Sequence, residues 1–297
     1  MPRLHIATSG RGEPLLCIPG FGVASRMYEP IVARYSERFE VIRFDPLGSG
    51  RSSGYWASPS VPHLAADAVR VLDELGLQTA HVLGLSLGGL VAQELALRFP
   101  HRVRGLMLVS TGPSGPLATP PHPGRLARVS ARAVHDSVRQ RRFALGATLY
   151  DAANVEDRVF ERALPWTLVA HLTAFSTHDR ERHLHRIQAP TLVLHGGRDA
   201  LVSAHNARRL ARRIPRAELH VIEDAGHGLL LEREAEVYRT ITAWLDRTGA
   251  IIPPPSPGVT AVRREQLTRL GAIPLGTLRV QANAVALTLG AARPRRS

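Results

Sequence analysis

Short apolar runs alternate with longer stretches of helical periodicity along most of this chain, and that alternation limits the folds open to it. PLLCIPG (14–20), FEVIRFD (39–45), AHVLGL (80–85), VRGLMLVS (103–110), PTLVLHGG (190–197) and AELHVIED (217–224) read as strands. Most are apolar at odd and even positions alike, as strands covered on both faces of a parallel sheet must be. Between them lie helical patterns. VPHLAADAVRVLDELGL (61–77) sets Leu64, Ala68, Val71, Leu72 and Leu75 on one face, with Gly76 as a stop. GGLVAQELALRF (88–99), AHNARRLARRI (204–214) and EAEVYRTITAWL (234–245) follow the same rule. The pattern predicts an α/β fold with a mostly parallel central sheet. Right-handed crossovers would put helices on both faces.

Two segments break the rhythm. Residues 113–170 open with PSGPLATPPHPG and continue as an Arg-rich, amphipathic stretch without a clear strand. They predict a helical cap inserted into a core formed by 1–112 and 171–250. Residues 251–258 contain PPPSPG, a stiff linker. The basic extension at 259–297 carries seven Arg against one Glu and has no assigned role.

Gly84-Leu85-Ser86-Leu87-Gly88 lies between a predicted strand and a predicted helix. G-x-S-x-G alone is weak, since about 0.1 matches arise by chance in a chain this long. Its position sharpens it. A serine on a strand-to-helix corner needs a strained backbone, and side chains two residues either way would clash with the turn. Its hydroxyl then rises above the carboxyl edge of the sheet, where α/β proteins bind ligands. A serine N-cap behind a glycine turn would use the same residues.

A nucleophilic hydroxyl needs a base. Of fourteen histidines, His227 in VIEDAGHGLLLE directly follows a strand-like run and is flanked by Gly226 and Gly228. Asp199 in LVLHGGRDALV also follows a strand directly and is the candidate to orient it. Its alternative is a turn or helix-capping role. The amide of Leu87, at a helix start, and that of Phe21, in the glycine-rich loop of IPGFGVASRMYEP, are candidate oxyanion donors.

Together these residues resemble the α/β-hydrolase superfamily, serine-nucleophile branch, over residues 3 to about 247. The likeness rests on PGFG (19–22), FDPLGSGRS (44–52), GLSLGG (84–89), HGGRDALV (195–202) and AGHGLLLE (225–232). It implies the chain order Ser, Asp, His for the triad and a cap formed by 113–170. It also implies that the turn of Asp45, Gly48, Gly50 and Ser52 supports the oxyanion loop. Small esterases, enol-lactonases and cofactor-free haloperoxidases or perhydrolases are the branches most alike. Serine at 86 speaks against the dehalogenase and epoxide hydrolase branches, which use Asp. One departure stands out: Pro19-Gly20 replaces the His-Gly of many members. Proline donates no hydrogen bond there, so the oxyanion loop must be supported differently.

The expected reaction is hydrolysis of a carboxylic ester or lactone through an acyl-enzyme, with no cofactor and no metal. Phe143, Tyr150, Trp166, Leu201 and Leu229 are candidate pocket residues. Trp56 either lines the entrance or packs on a surface turn. Alternatives are a perhydrolase or haloperoxidase using the same triad, and a ligand receptor without catalysis. The net charge is +13 and every basic residue is Arg. The arginines are dispersed and no nucleic-acid motif is present, so nucleic acid is not an expected partner; a homo-oligomer is open. The single cysteine, Cys17, lies in the apolar LLCIP run and reads as core. No apolar run reaches the length of a membrane span, the N-terminal residues lack a signal-peptide apolar region, and the expected compartment is the cytoplasm.

Overall fold

A computed structural model describes residues 3–53, 60–113 and 165–249. These lie within one compact unit, Met1–Pro255. Trp56, Phe143, Tyr150, most of the expected cap and the whole basic extension fall outside the described residues.

The strands are β1 (His5–Ser9), β2 (Glu13–Ile18), β3 (Phe39–Asp45), β4 (Ala80–Leu85), β5 (Val103–Val109), β6 (Thr191–Gly196) and β7 (Ala217–Ile222). They form one sheet in the order β1-β3-β2-β4-β5-β6-β7. β1 runs antiparallel to β3, and the other pairs are parallel. Six strands match the apolar runs. β1 has no such run, because it is an edge strand with partly exposed residues throughout.

Side chains alternate across the sheet with the period of two that a strand imposes. Leu16, Ile18, Ile42, Phe44, Val82, Leu106, Leu108 and Val193 enter one core layer. That layer is covered by α2 (Val61–Glu74), α3 (Leu87–Arg98) and α5 (Ala204–Arg213). Leu15, Cys17, Val41, Leu83, Leu85, Met107, Val109 and Leu194 enter the other. There α1 (Glu29–Tyr35) and α7 (Glu234–Thr248) contribute Tyr35, Val237, Ile241 and Trp244. Each large apolar side chain buried in this way contributes about 1.5–3 kcal/mol. The doubly covered sheet explains why β2 to β6 read as almost unbroken apolar runs.

Helix α2 starts behind a capping box, with Ser60 and His63 each satisfying the other's backbone. It ends at Glu74 with Leu75 as its C-cap, and Gly76, the stop expected from the sequence, turns to φ 69°. Helix α4 (Pro165–Thr177) runs through position 170, so the cap-to-core division expected there falls inside one continuous helix. A one-turn helix, α6 (Leu229–Glu232), follows the loop after β7. No helix among the described residues is long and apolar enough to cross a membrane.

The strand order places the site. From β2 the chain moves outward to β3, then crosses back to β4 on the other side of β2. The loops after β2 and β4 therefore diverge at their carboxyl ends, which opens a crevice at the sheet edge. The Phe21 loop and Ser86 emerge there.

Candidate active site

Ser86 sits between the last residue of β4 and the first of α3, with φ 55° and ψ −116°. A non-glycine residue held there costs about 1–3 kcal/mol and persists only if its surroundings enforce it. They do. Its amide donates to Val109 O at 2.9 Å, and its carbonyl accepts from Gly89 N at 2.9 Å and Thr111 Oγ1 at 2.8 Å. The flanking glycines are steric requirements. A Cβ on Gly84 would lie 2.3 Å from Gly88 O, and one on Gly88 would lie 2.2 Å from Ile18 O.

Asp199 and His227 come together at the ends of β6 and β7. His227 Nδ1 lies 2.8 Å from Asp199 Oδ2, and both residues are buried. A carboxylate only accepts, so Nδ1 carries the proton and Nε2 is left with its lone pair. The other carboxylate oxygen, Oδ1, accepts the amides of Leu201 and Val202, each at 2.8 Å. Burial works to raise the Asp199 carboxyl. The imidazole of His227, then His195, and the Val202 amide outweigh it and hold the carboxyl below its ordinary value. Asp199 is thus an ionised partner for the His227 ring.

A second histidine touches the same carboxylate. His195 Nε2 is 2.9 Å from Val202 O and 3.4 Å from Asp199 Oδ2, and the residue is fully buried. Burial lowers its pKa despite the pull of Asp199, which keeps the ring neutral at neutral pH. The Val202 carbonyl accepts, so Nε2 carries the proton. Asp199 is therefore fenced by Leu201, Val202, His195 and His227.

The loops that carry Ser86 and His227 are tied to adjacent residues at the end of β5. Ser110 Oγ donates to His227 O at 2.8 Å, and Thr111 Oγ1 donates to Ser86 O. Ser110, like Ser86, is a non-glycine residue with positive φ, at 48°. Gln93 Nε2 on α3 donates to Gly112 O at 2.9 Å and extends the clamp by one residue. These positions were legible only as a strand end, since nothing local marks a hydroxyl whose partner lies on another loop.

The loop after β2 is held by Asp45. Its Oδ1 accepts Ser25 N at 2.9 Å, its Oδ2 accepts Arg51 N at 2.8 Å, and its carbonyl accepts Ser52 Oγ at 2.6 Å. Asp45 thus joins the Gly48 turn to the Phe21 loop. Leu87 is buried at the start of α3 and lines a small, mainly apolar cavity with Ile18, Pro19, Gly20, Phe44 and His171. Phe21 is half-buried beside it.

The remaining pocket candidates fare differently. Leu229 is fully buried in the core layer with Leu194, Leu230 and Val237, so its side chain packs the core instead of lining that cavity. Leu201 is half-buried, and its contribution is its amide to Asp199. Trp166 lies in α4, but its side chain is outside the described residues, as are Phe143 and Tyr150. Among the described residues no group of three His, Cys, Asp or Glu is arranged to hold a metal ion.

Comparison with known proteins places the chain in a family. The model of the alpha/beta hydrolase family matches residues 15–240. The chain belongs to the alpha/beta hydrolase family. It is similar to a poly(3-hydroxyalkanoate) depolymerase of Ectopseudomonas oleovorans, 34% identical over 81% of this chain and 88% of that one. It is also similar to a putative carbamate hydrolase of Pseudomonas savastanoi, 31% identical over 78% of this chain and 94% of that one. A hydrolase from Pseudomonas aeruginosa has a similar solved structure, with TM-score 0.66 and 26% identity over 82% of this chain and 94% of that one. This alpha/beta hydrolase has a seven-stranded, mostly parallel sheet with helices on both faces, and β1 is its antiparallel edge strand.

Proposed function

We propose that this protein is a serine hydrolase that cleaves a carboxylic ester or lactone through an acyl-enzyme. The observation that carries the reading is the buried 2.8 Å contact between His227 Nδ1 and Asp199 on the same sheet edge as the strained Ser86. Asp199 fixes the imidazole tautomer, and His227 Nε2 takes the Ser86 proton as Oγ attacks the acyl carbonyl. The amides of Phe21 and Leu87 receive the negative charge on the carbonyl oxygen, and Leu87 adds the positive end of α3. His227 then gives its proton to the leaving alcohol. Water, deprotonated by the same imidazole, attacks the ester on Ser86, and the carboxylic acid leaves.

The relatives named above act on different linkages, so the scissile bond is the quantity to measure. The test is a panel of p-nitrophenyl esters of increasing chain length, lactones, thioesters and an aryl carbamate, on the wild type and on Ser86→Ala. Ester or lactone turnover by the wild type alone, with stoichiometric fluorophosphonate labelling of Ser86, is expected. Undiminished turnover by Ser86→Ala would sink the mechanism. Absence of both turnover and labelling would favour a receptor, and peracid formation from acetate and peroxide would favour the perhydrolase reading.

A further inference from the structure

Gly22 directly follows Phe21, and its amide makes a hydrogen bond across 149 residues. The acceptor is Nδ1 of His171 on α4, 3.2 Å away. The imidazole is buried, and burial pushes its pKa down to about 4. The ring is therefore neutral at neutral pH, and a neutral imidazole that accepts at Nδ1 carries its proton on Nε2. The same ring stands edge-on to the Phe21 ring, with centroids 6.1 Å apart at 64°. It also lines the cavity beside Pro19, Gly20 and Leu87.

One turn earlier on the same face of α4, Thr167 Oγ1 donates to Gly48 O at 2.7 Å, and Thr167 is buried too. Positions i and i+4 of a helix lie one above the other, so α4 engages two loops of the carboxyl edge at once. The loop itself has little with which to fix Phe21. Pro19 has no N–H, Gly20 and Gly22 have no side chains, and Gly22 turns to φ 68°. A peptide between residues this permissive stays in one orientation only if something outside the loop holds it.

We propose that His171 is the positioning residue of the oxyanion hole: by accepting the Gly22 N–H it anchors the Phe21–Gly22 peptide, and through the shared Phe21 Cα it restrains the adjoining Gly20–Phe21 peptide, whose N–H faces the carbonyl oxygen. This role rests on the acyl-transfer reading above. It supplies from α4 the support that Pro19 cannot give from within the loop. It also couples the hole to the placement of α4, with Thr167 as the second pin.

The test compares His171→Leu, which removes the acceptor, with His171→Asn, whose amide oxygen can stand where Nδ1 stood. With p-nitrophenyl butyrate, His171→Leu is expected to lose about 10- to 100-fold in kcat with KM changed less than about threefold, the mark of misplacement rather than lost binding. His171→Asn is expected to recover most of that loss. Independently of turnover, the ring of His171 should show the Nε2–H tautomer by 15N NMR, and the Gly22 amide should exchange faster in His171→Leu than in the wild type. If His171→Leu does not fold, His171→Phe keeps an aromatic ring against Phe21 and removes the acceptor.

A folded acceptor-free variant with wild-type kcat, an Asn variant no better than Leu, or an unchanged Gly22 exchange rate would each overturn the proposal. A wild type that neither hydrolyses esters nor labels at Ser86 would instead overturn the acyl-transfer reading, and this role with it. That outcome is distinct, because wild type and Ser86→Ala would then behave alike.

Discussion

Ser110 Oγ donates to the carbonyl oxygen of His227 at 2.8 Å, although 117 residues separate them. This bond fixes the loop that carries His227 relative to β5, while the neighbouring Thr111 does the same for Ser86. Both groups are buried, so removing a donor leaves an unsatisfied carbonyl at a cost of about 1–3 kcal/mol. Ser110→Ala should lower kcat about tenfold by loosening the base. Ser110→Gly should lose similar activity yet melt at a higher temperature than Ser110→Ala, because φ 48° strains alanine and not glycine. Steady-state kinetics and thermal denaturation of the two variants check this. Equal kcat in wild type and both variants would show that the clamp does not position His227.

The carboxylate of Asp199 sets the His227 tautomer, and its replacement by an amide removes both charge and preference. Asp199→Asn should lower kcat by roughly 10³- to 10⁴-fold while the fold is retained. The variant keeps an oxygen to accept the Leu201 and Val202 amides, so the structural loss should be small beside the catalytic one. Stopped-flow burst kinetics with a p-nitrophenyl ester would show acylation as the slowed step.

Burial lowers the pKa of His171 to about 4, and that of His178 to about 4 against the pull of Glu94 and Asp179 and with the push of Arg180. The unfolded chain, whose histidines titrate near 6.5, binds more protons than the folded one between those values. The stability these groups contribute is therefore fully present above pH 6.5 and is lost as pH falls toward 4. The loss amounts to roughly 2–3 kcal/mol for each histidine. Urea midpoints measured from pH 7.5 to 4.5 should fall steadily, and His178→Gln should flatten the slope. A midpoint constant over that range would contradict both shifts.

Gly88 faces Ile18 O so closely that a methyl group would sit 2.2 Å from it and 2.6 Å from Pro19 O. Backbone on both sides leaves no cheap adjustment. Gly88→Ala should displace the loop after β2, cost about 1–3 kcal/mol and reduce kcat well before the fold is lost. Circular dichroism and ester turnover measured together check it, and full activity in a stable variant would contradict the close approach.

Cys17 is fully buried in β2, and burial pushes its thiol up to about 12. The native protein should not react with a thiol reagent at pH 8, and it should release one equivalent in denaturant. Rapid native labelling would mean that β2 is not an interior strand of the sheet.

Much of this arrangement was legible in the sequence, and for identifiable reasons. The doubly buried strands declared themselves because the side chains of β4 and β5, apart from His81 and Arg104 near their starts, are apolar whichever face they meet. The corner at Ser86 was legible because glycines two residues either side are the only residues its backbone admits. Asp199 and His227 were recognisable from their places directly after β6 and β7. β1 was not, since an edge strand open to solvent needs no apolar pattern. Leu229 looked like a pocket residue because an apolar side chain beside a catalytic loop can turn toward the crevice or the core, and its one-turn helix turns it to the core.

By itself, then, the sequence determined what depends on neighbours along the chain: the strand and helix periods, the strained serine corner, and the Asp and His on loops at one sheet edge. The tertiary structure decided the partnerships. Ser110 with His227, His195 with Asp199, and His171 with Gly22 involve polar groups of common type, and nothing in their local sequence marks them out. Two of these pairs join elements far apart in the chain, and the third depends on how a turn folds back on its own strand. Period and turn chemistry act over a few residues. A buried hydrogen bond depends on which groups the packed helices and sheet bring within 3 Å, and that is settled only when the whole domain closes around them.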